Sequence, residues 1–144
     1  MKLHIITIGE PKLAYAKQGW QEYCKRLSHF HQLRITHLAD KYATDVTHIT
    51  ASAGNAYRVV MEVAGKQFSS EDLATFLDKR ALEGREICFI IGGPDGLPQE
   101  IINNADHLWS LSQLTFPHDL AMVVLAETLY RSSTISAGHP YHRA

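Results

Sequence analysis

Four side chains able to do acid–base or anion chemistry crowd the C-terminus: His139, Tyr141, His142 and Arg143. Histidine moves a proton near neutral pH, arginine clamps a phosphate or a carbonyl oxygen, and tyrosine stacks on a base. Arg131, one to two helical turns upstream, adds to the same positive patch. An untethered polar tail has the same composition, because chain ends usually fray. The second stretch with chemical potential is Ile90-Ile91-Gly92-Gly93-Pro94-Asp95-Gly96-Leu97-Pro98. An apolar run over 87–91 stops at a double glycine, Pro94 and Gly96 force a tight turn, and Pro98 suits the start of a helix. Open α/β sheets place their ligands at such strand ends. A plain strand–turn–helix joint reads the same way.

Several chemistries fail on spacing. The glycine turn is neither a dinucleotide fingerprint nor a lysine-bearing phosphate loop. Pro94 also removes an amide that a phosphate would need, so backbone groups and apolar walls are the better partners. Nine histidines invite a metal. The closest pair, His139 and His142, has no third ligand beside it, whereas a zinc site needs three or four, so no metal is expected. No nucleophile elbow supports a serine triad.

The elements that must position these groups alternate. Strands are expected over 3–8, 33–38, 57–63 (closed by Ala64-Gly65-Lys66), 87–91 and 108–114. Helices are expected over 13–27, over 98–105 and over 120–135. A further helix starts at an N-capping Ser69, buries Leu73, Phe76, Leu77 and Ala81, and ends at Gly84. Residues 40–55 have little period and fit a short helix or an irregular connection ending at Gly54. Thr115 or Asp119 could cap the last helix. That helix is apolar nearly all round at its start, so it must be buried on more than one side, and a second subunit is the expected cover. Strand–helix alternation argues α/β, with a mainly parallel sheet and helices on both faces.

At 144 residues the chain fits one domain, 1–144. A net charge of −1 excludes nucleic-acid binding by bulk electrostatics, so any such partner must meet a local basic patch or a dimer. Cys24 and Cys88 form no spaced framework, which suggests a reducing, cytoplasmic setting. No apolar run approaches a membrane span, and the N-terminus has no signal-peptide layout.

Taken together, these residues resemble the RlmH (YbeA) family of SPOUT methyltransferases. The likeness is best from Val59 onward. It rests on Ile91-Gly92-Gly93-Pro94-Asp95-Gly96, on Trp109-Ser110-Leu111-Ser112 with Leu114-Thr115, on Pro117-His118, on Ala126-Glu127 with Leu129-Tyr130-Arg131, and on His139-Pro140-Tyr141-His142-Arg143. Met1-Lys2-Leu3 and Gly9 also fit. The chain departs from the family over 40–55, which is shorter and less basic. It departs also at Ala64, where a proline is common, and at Ser133 and Gly138, where bulkier residues are usual.

The resemblance implies a parallel sheet with a C-terminal trefoil knot, a homodimer, and S-adenosylmethionine as cofactor. It implies methylation of N3 of a pseudouridine in 23S ribosomal RNA, within the assembled large subunit or the 70S ribosome. Carried over by position, the cofactor contacts are Met61, Gly92 and the run Leu111, Ser112, Gln113, Leu114, Thr115 and Phe116. The tail of one subunit is expected to complete the other's pocket. There His142 would accept or orient the proton, Arg143 would stabilise the anionic imide or a phosphate, and Tyr141 would stack. His118 would hold the knot loop. A SPOUT enzyme acting on another RNA such as tRNA, and a non-catalytic ribosome-binding module, are the competing expectations.

Overall fold

The computed structural model describes residues 1–143; Ala144 of the expected 1–144 unit lies outside them. Five strands form one sheet: β1 (Lys2–Ile8), β2 (Gln32–Leu38), β3 (Tyr57–Lys66), β4 (Ile87–Ile91) and β5 (His107–Trp109). Their order is β2-β1-β4-β3-β5, and every pairing is parallel. The helices are α1 (Ala14–Leu27), α2 (Val46–Ala53), α3 (Ser70–Leu82), α4 (Gln99–Asn103) and α5 (His118–Ser136). Period-two alternation sorts the strand side chains. Leu3, Ile5, Ile87, Phe89 and Ile91 meet α1, α3 and α5 on one face, whereas Ile6, Ile8, Cys88 and Ile90 meet α2 and α4 on the other. Strands buried on both faces read as continuous apolar runs, which is why β4 is legible as Ile-Cys-Phe-Ile-Ile.

Residues 40–55 take the short-helix form of the two expected: a single 3-10 turn at Asp40–Tyr42 precedes α2, whose N-cap Asp45 accepts from the amide of His48 at 2.9 Å. Gly54 ends α2 at φ +58°, a conformation that needs glycine.

The third strand does not stop at Val63. It bulges out over 62–65 and rejoins the ladder at Lys66, so that Met61 and Lys66 both pair with Trp109. A Cβ on Gly65 would stand 2.7 Å from the carbonyl carbon of Leu108, so only glycine lets β3 pass this close to β5.

The fifth strand is three residues long rather than seven. Past Trp109 the serines offer the backbone other partners: Ser110 Oγ donates to the carbonyl of Ser112 at 2.9 Å, and Ser112 Oγ accepts from the amide of Leu114 at 3.0 Å.

Neither Thr115 nor Asp119 caps α5, because Pro117 holds the N-cap position. The buried Asp119 carboxylate instead accepts from the amides of Lys12 and Leu13, at 2.8 and 2.6 Å, and so satisfies the start of α1. The all-round apolar character of α5 is also met largely within the chain. The helix touches α1 on one flank and α3 on the other, with Met122, Leu125, Ala126 and Leu129 turned to the sheet. Gly19 lets α1 come close: a Cβ there would lie 3.1 Å from Val123 Cγ1. Two-sided burial of this helix therefore does not by itself require a second subunit.

Candidate active site

The carboxyl ends of β3, β4 and β5 open into one cavity of about 220 Å³. Three segments wall it. The first is the end of β3 with its bulge, which contributes Met61, Glu62 and Val63. The second is the glycine turn after β4. There Gly96 N donates to Gly93 O at 3.0 Å and Gly96 takes φ +80°. A Cβ on Gly92 would stand 2.8 Å from the carbonyl carbon of Gly96 and 2.9 Å from Leu97 Cγ. Gly92 is thus required by the turn's packing on itself, ahead of any ligand. The third wall is the loop after β5, folded by the serine bonds above and tied to β3 by Ser110 N donating to Lys66 O at 2.9 Å.

Of the eight positions carried over for cofactor binding, Met61, Gly92, Leu111, Ser112, Leu114, Thr115 and Phe116 line this cavity. Gln113 does not; it belongs to the same loop but is exposed. Leu114 leaves an apolar side chain 72% exposed at the rim. The sequence reading missed Glu62, Leu97 and Trp109, which also line the space. Glu62 had a usable signal, an acid at the carboxyl end of a strand beside a glycine turn. Among the described residues it is the only charged side chain on the wall, and no lysine or arginine faces in. Such a wall suits a ligand that is neutral or cationic at its buried end better than a polyphosphate.

The tail lies elsewhere on its own chain. Tyr141 Oη donates to Glu127 Oε1 at 3.0 Å, and its ring packs edge-on against Tyr130 with centroids 4.6 Å apart. Burial, aided by hydrogen bonds to Tyr23 and Glu127, pushes the Tyr141 phenol well above its usual range. Arg131 forks onto Glu127 Oε1 at 2.6 and 3.0 Å, stacks 4.8 Å from the centre of the Tyr141 ring, and reaches His142 Nδ1 at 3.1 Å. The hydrogen bond to Glu127 raises the Arg131 pKa still further. His142 Nε2 meets Glu71 Oε1, at the start of α3, at 2.8 Å. Glu71 is held below the usual carboxylate range by its own backbone amide and then by His142. His139 and Arg143 are exposed, and among the described residues no tail side chain lines the cavity of the same chain.

His118 begins α5, with its Nε2 buried and unpartnered among the described residues. Both cysteines are buried, and burial pushes each thiol up to about 12, which leaves them poor nucleophiles. Among the described residues no three metal-ligating side chains cluster, and no helix is long and apolar enough to cross a membrane.

The sequence family described as predicted SPOUT methyltransferase matches residues 1–142. The chain belongs to the SPOUT methyltransferase family. Within that family it is 53% identical to the Deinococcus deserti protein named ribosomal RNA large subunit methyltransferase H, over 99% of this chain and 100% of the relative. The protein of the same name from Deinococcus radiodurans is 51% identical, over 99% of each chain. That of Stenotrophomonas maltophilia is 39% identical over the whole of both. The fold is similar to a probable methylase family protein from Haemophilus influenzae, at TM-score 0.57 and 9% identity, covering 99% of this chain and 70% of that one. It is also similar to TrmJ from Z. mobilis, at TM-score 0.51 and 11% identity, covering 92% and 70%. At those identities the two structures speak for the fold alone.

Proposed function

We propose that this SPOUT family member methylates N3 of a pseudouridine in 23S ribosomal RNA, on the assembled large subunit or the 70S ribosome in the cytoplasm, with S-adenosylmethionine as donor. The observation that carries the reading is convergence. Segments far apart in sequence, carrying Met61, Gly92 and Leu111, Ser112, Leu114, Thr115 and Phe116, meet at one cavity whose walls are apolar and hydroxyl-bearing, with one acid and no basic residue. This donor set fits S-adenosylmethionine, which has no phosphate and is cationic at its reactive sulfur. When bound, the cofactor supplies an electrophilic methyl group, so no metal is required.

The protein's tasks are position and proton removal. Holding the reacting atoms in near-attack geometry is worth about 7–11 kcal/mol, and a placed base adds roughly 10²–10⁴-fold. The cavity walls would hold the cofactor, with Met61, Leu111 and Phe116 as apolar cover and the loop backbone as polar partner. The proton acceptor in this reading is His142. Its Nδ1 faces Arg131 in the single chain, and the imide N–H of the target would take Arg131's place as donor. Arg143, exposed beside it, would stabilise the imide anion or a flanking phosphate, and Tyr141 would stack.

The tail sits away from its own cavity, which supports completion of the site by a second copy in a homodimer. The C-terminal part is read as a trefoil knot. A near-neutral protein cannot select one nucleotide by charge, so the ribosome supplies the shape that is recognised. Mass spectrometry of 23S RNA from cells lacking this protein tests the proposal. The reading requires one methyl mark on a pseudouridine to disappear and to return with the wild-type chain. An unchanged modification map would end it.

A further inference from the structure

We propose that Glu62 is the specificity-determining residue of the cavity, its carboxylate accepting the two ribose hydroxyls of the donor. The proposal rests on the S-adenosylmethionine reading above.

Glu62 stands where β3 leaves its ladder with β5, directly after Met61. The excursion it opens is held at both ends, since Met61 before it and Lys66 after it both pair with Trp109. At the far end the Lys66 carbonyl also accepts the Ser110 amide at 2.9 Å, and a Cβ on Gly65 would be 2.7 Å from the carbonyl carbon of Leu108. Glu62 is therefore carried by a fixed strand end. It is half-buried on the cavity wall, and it has no hydrogen bond or ion pair among the described residues. A partly desolvated carboxylate without donors is unfavourable, and a ligand that brings O–H or N–H groups relieves it.

Register says which part of the ligand arrives there. Val60 opposite Ile90 is the last pairing between β3 and β4, and two residues further along each chain Glu62 and Gly92 line the same cavity. An acid at the end of one parallel strand, beside a glycine turn at the end of its neighbour, is the arrangement by which open α/β sheets bind a ribose. Two carboxylate oxygens match two vicinal hydroxyl donors. A sulfonium offers no hydrogen to accept and would leave both oxygens unbonded.

The test is titration calorimetry of the full chain with four probes: S-adenosylmethionine, S-adenosylhomocysteine, and the 2′-deoxy and 3′-deoxy analogues of the latter. Wild type, Glu62→Ala and Glu62→Gln are compared, with melting curves to establish folding. Wild type should bind S-adenosylhomocysteine about tenfold or more tighter than either deoxy analogue, as expected for a hydrogen bond to a charged acceptor. In Glu62→Ala that gap should shrink to about threefold or less, and Glu62→Gln, which keeps one acceptor, should fall between. If Glu62→Ala does not fold, Glu62→Gln alone decides by whether the gap narrows. A gap that survives substitution overturns the proposal. So does a selective loss of S-adenosylmethionine over S-adenosylhomocysteine, which would aim the carboxylate at the sulfonium. Wild type that binds neither natural probe removes the cofactor reading itself. Normal binding by wild type and mutant alike removes only the role of Glu62.

Discussion

Arg131 donates a hydrogen bond from Nη1 to Nδ1 of His142 at 3.1 Å. Arginine has no acceptor, so Nδ1 must present its lone pair. The ring hydrogen then sits on Nε2, pointing at Glu71 Oε1 2.8 Å away. Long-range nitrogen–proton correlation spectra at mildly alkaline pH should show the Nε2–H tautomer for His142. A predominant Nδ1–H pattern would contradict this geometry.

Arg143 is exposed and does not touch the cavity of its own chain. Arg143→Ala should lower turnover on ribosomes by on the order of 10²-fold, the size of a lost transition-state contact, and leave cofactor affinity within about twofold. Kinetics on purified ribosomes and calorimetry separate the two. A parallel loss of cofactor binding would count against its assignment to the RNA.

The turn at Gly92 closes on itself, with no room for a Cβ between Gly96 and Leu97. Gly92→Val should force the turn open, destabilise the fold by about 1–3 kcal/mol, and abolish cofactor uptake. Urea unfolding and calorimetry report the two effects. Normal uptake would place the binding site elsewhere.

Asp119 is buried at the start of α5 and is not on the cavity wall. Its carboxylate takes two amides at the start of α1. Asp119→Ala leaves both part-buried donors without their charged acceptor and should cost about 2–3 kcal/mol in urea unfolding. Asp119→Asn should recover part of that. A neutral effect would mean that water replaces the carboxylate.

Stability should fall on mild acidification. Burial, with the N-terminal amine second, pushes His31 down to about 4. His4, His37 and His107 are lowered in the same direction, each chiefly by burial. The unfolded chain therefore binds more protons than the native one between about pH 6.5 and 4. The contribution is complete above that window and is lost as pH drops through it. For His31 the loss is about 1–2 kcal/mol, since solvent still reaches part of the ring. Denaturation midpoints at pH 7.5 and pH 5, for wild type and His31→Gln, should show a smaller difference in the variant.

The parts of the fold that were legible in sequence follow from local rules. Runs such as 87–91 are apolar because both faces are covered, and Ser69 caps α3 through Asp72 at 3.0 Å as its spacing implies. What was missed depends on contacts far along the chain. Asp119 reads as a cap for the helix it belongs to, but it serves one more than a hundred residues upstream. The third strand reads as ending at Val63, because nothing local shows Lys66 returning to Trp109. The cofactor positions came from family resemblance. Seven of the eight meet at one cavity, whose wall includes Glu62 and leaves out Gln113.

The bond between Asp119 and Leu13 has a consequence for the chain as it leaves a ribosome. The two amides that lead into the first helix cannot meet their carboxylate partner until the segment that begins the last helix has been synthesised. The edge strand that closes the cavity also comes late, after four others are in place. Closing such distant contacts is slow. A nascent copy should therefore stay loose, and unable to hold its methyl donor, until translation is nearly finished.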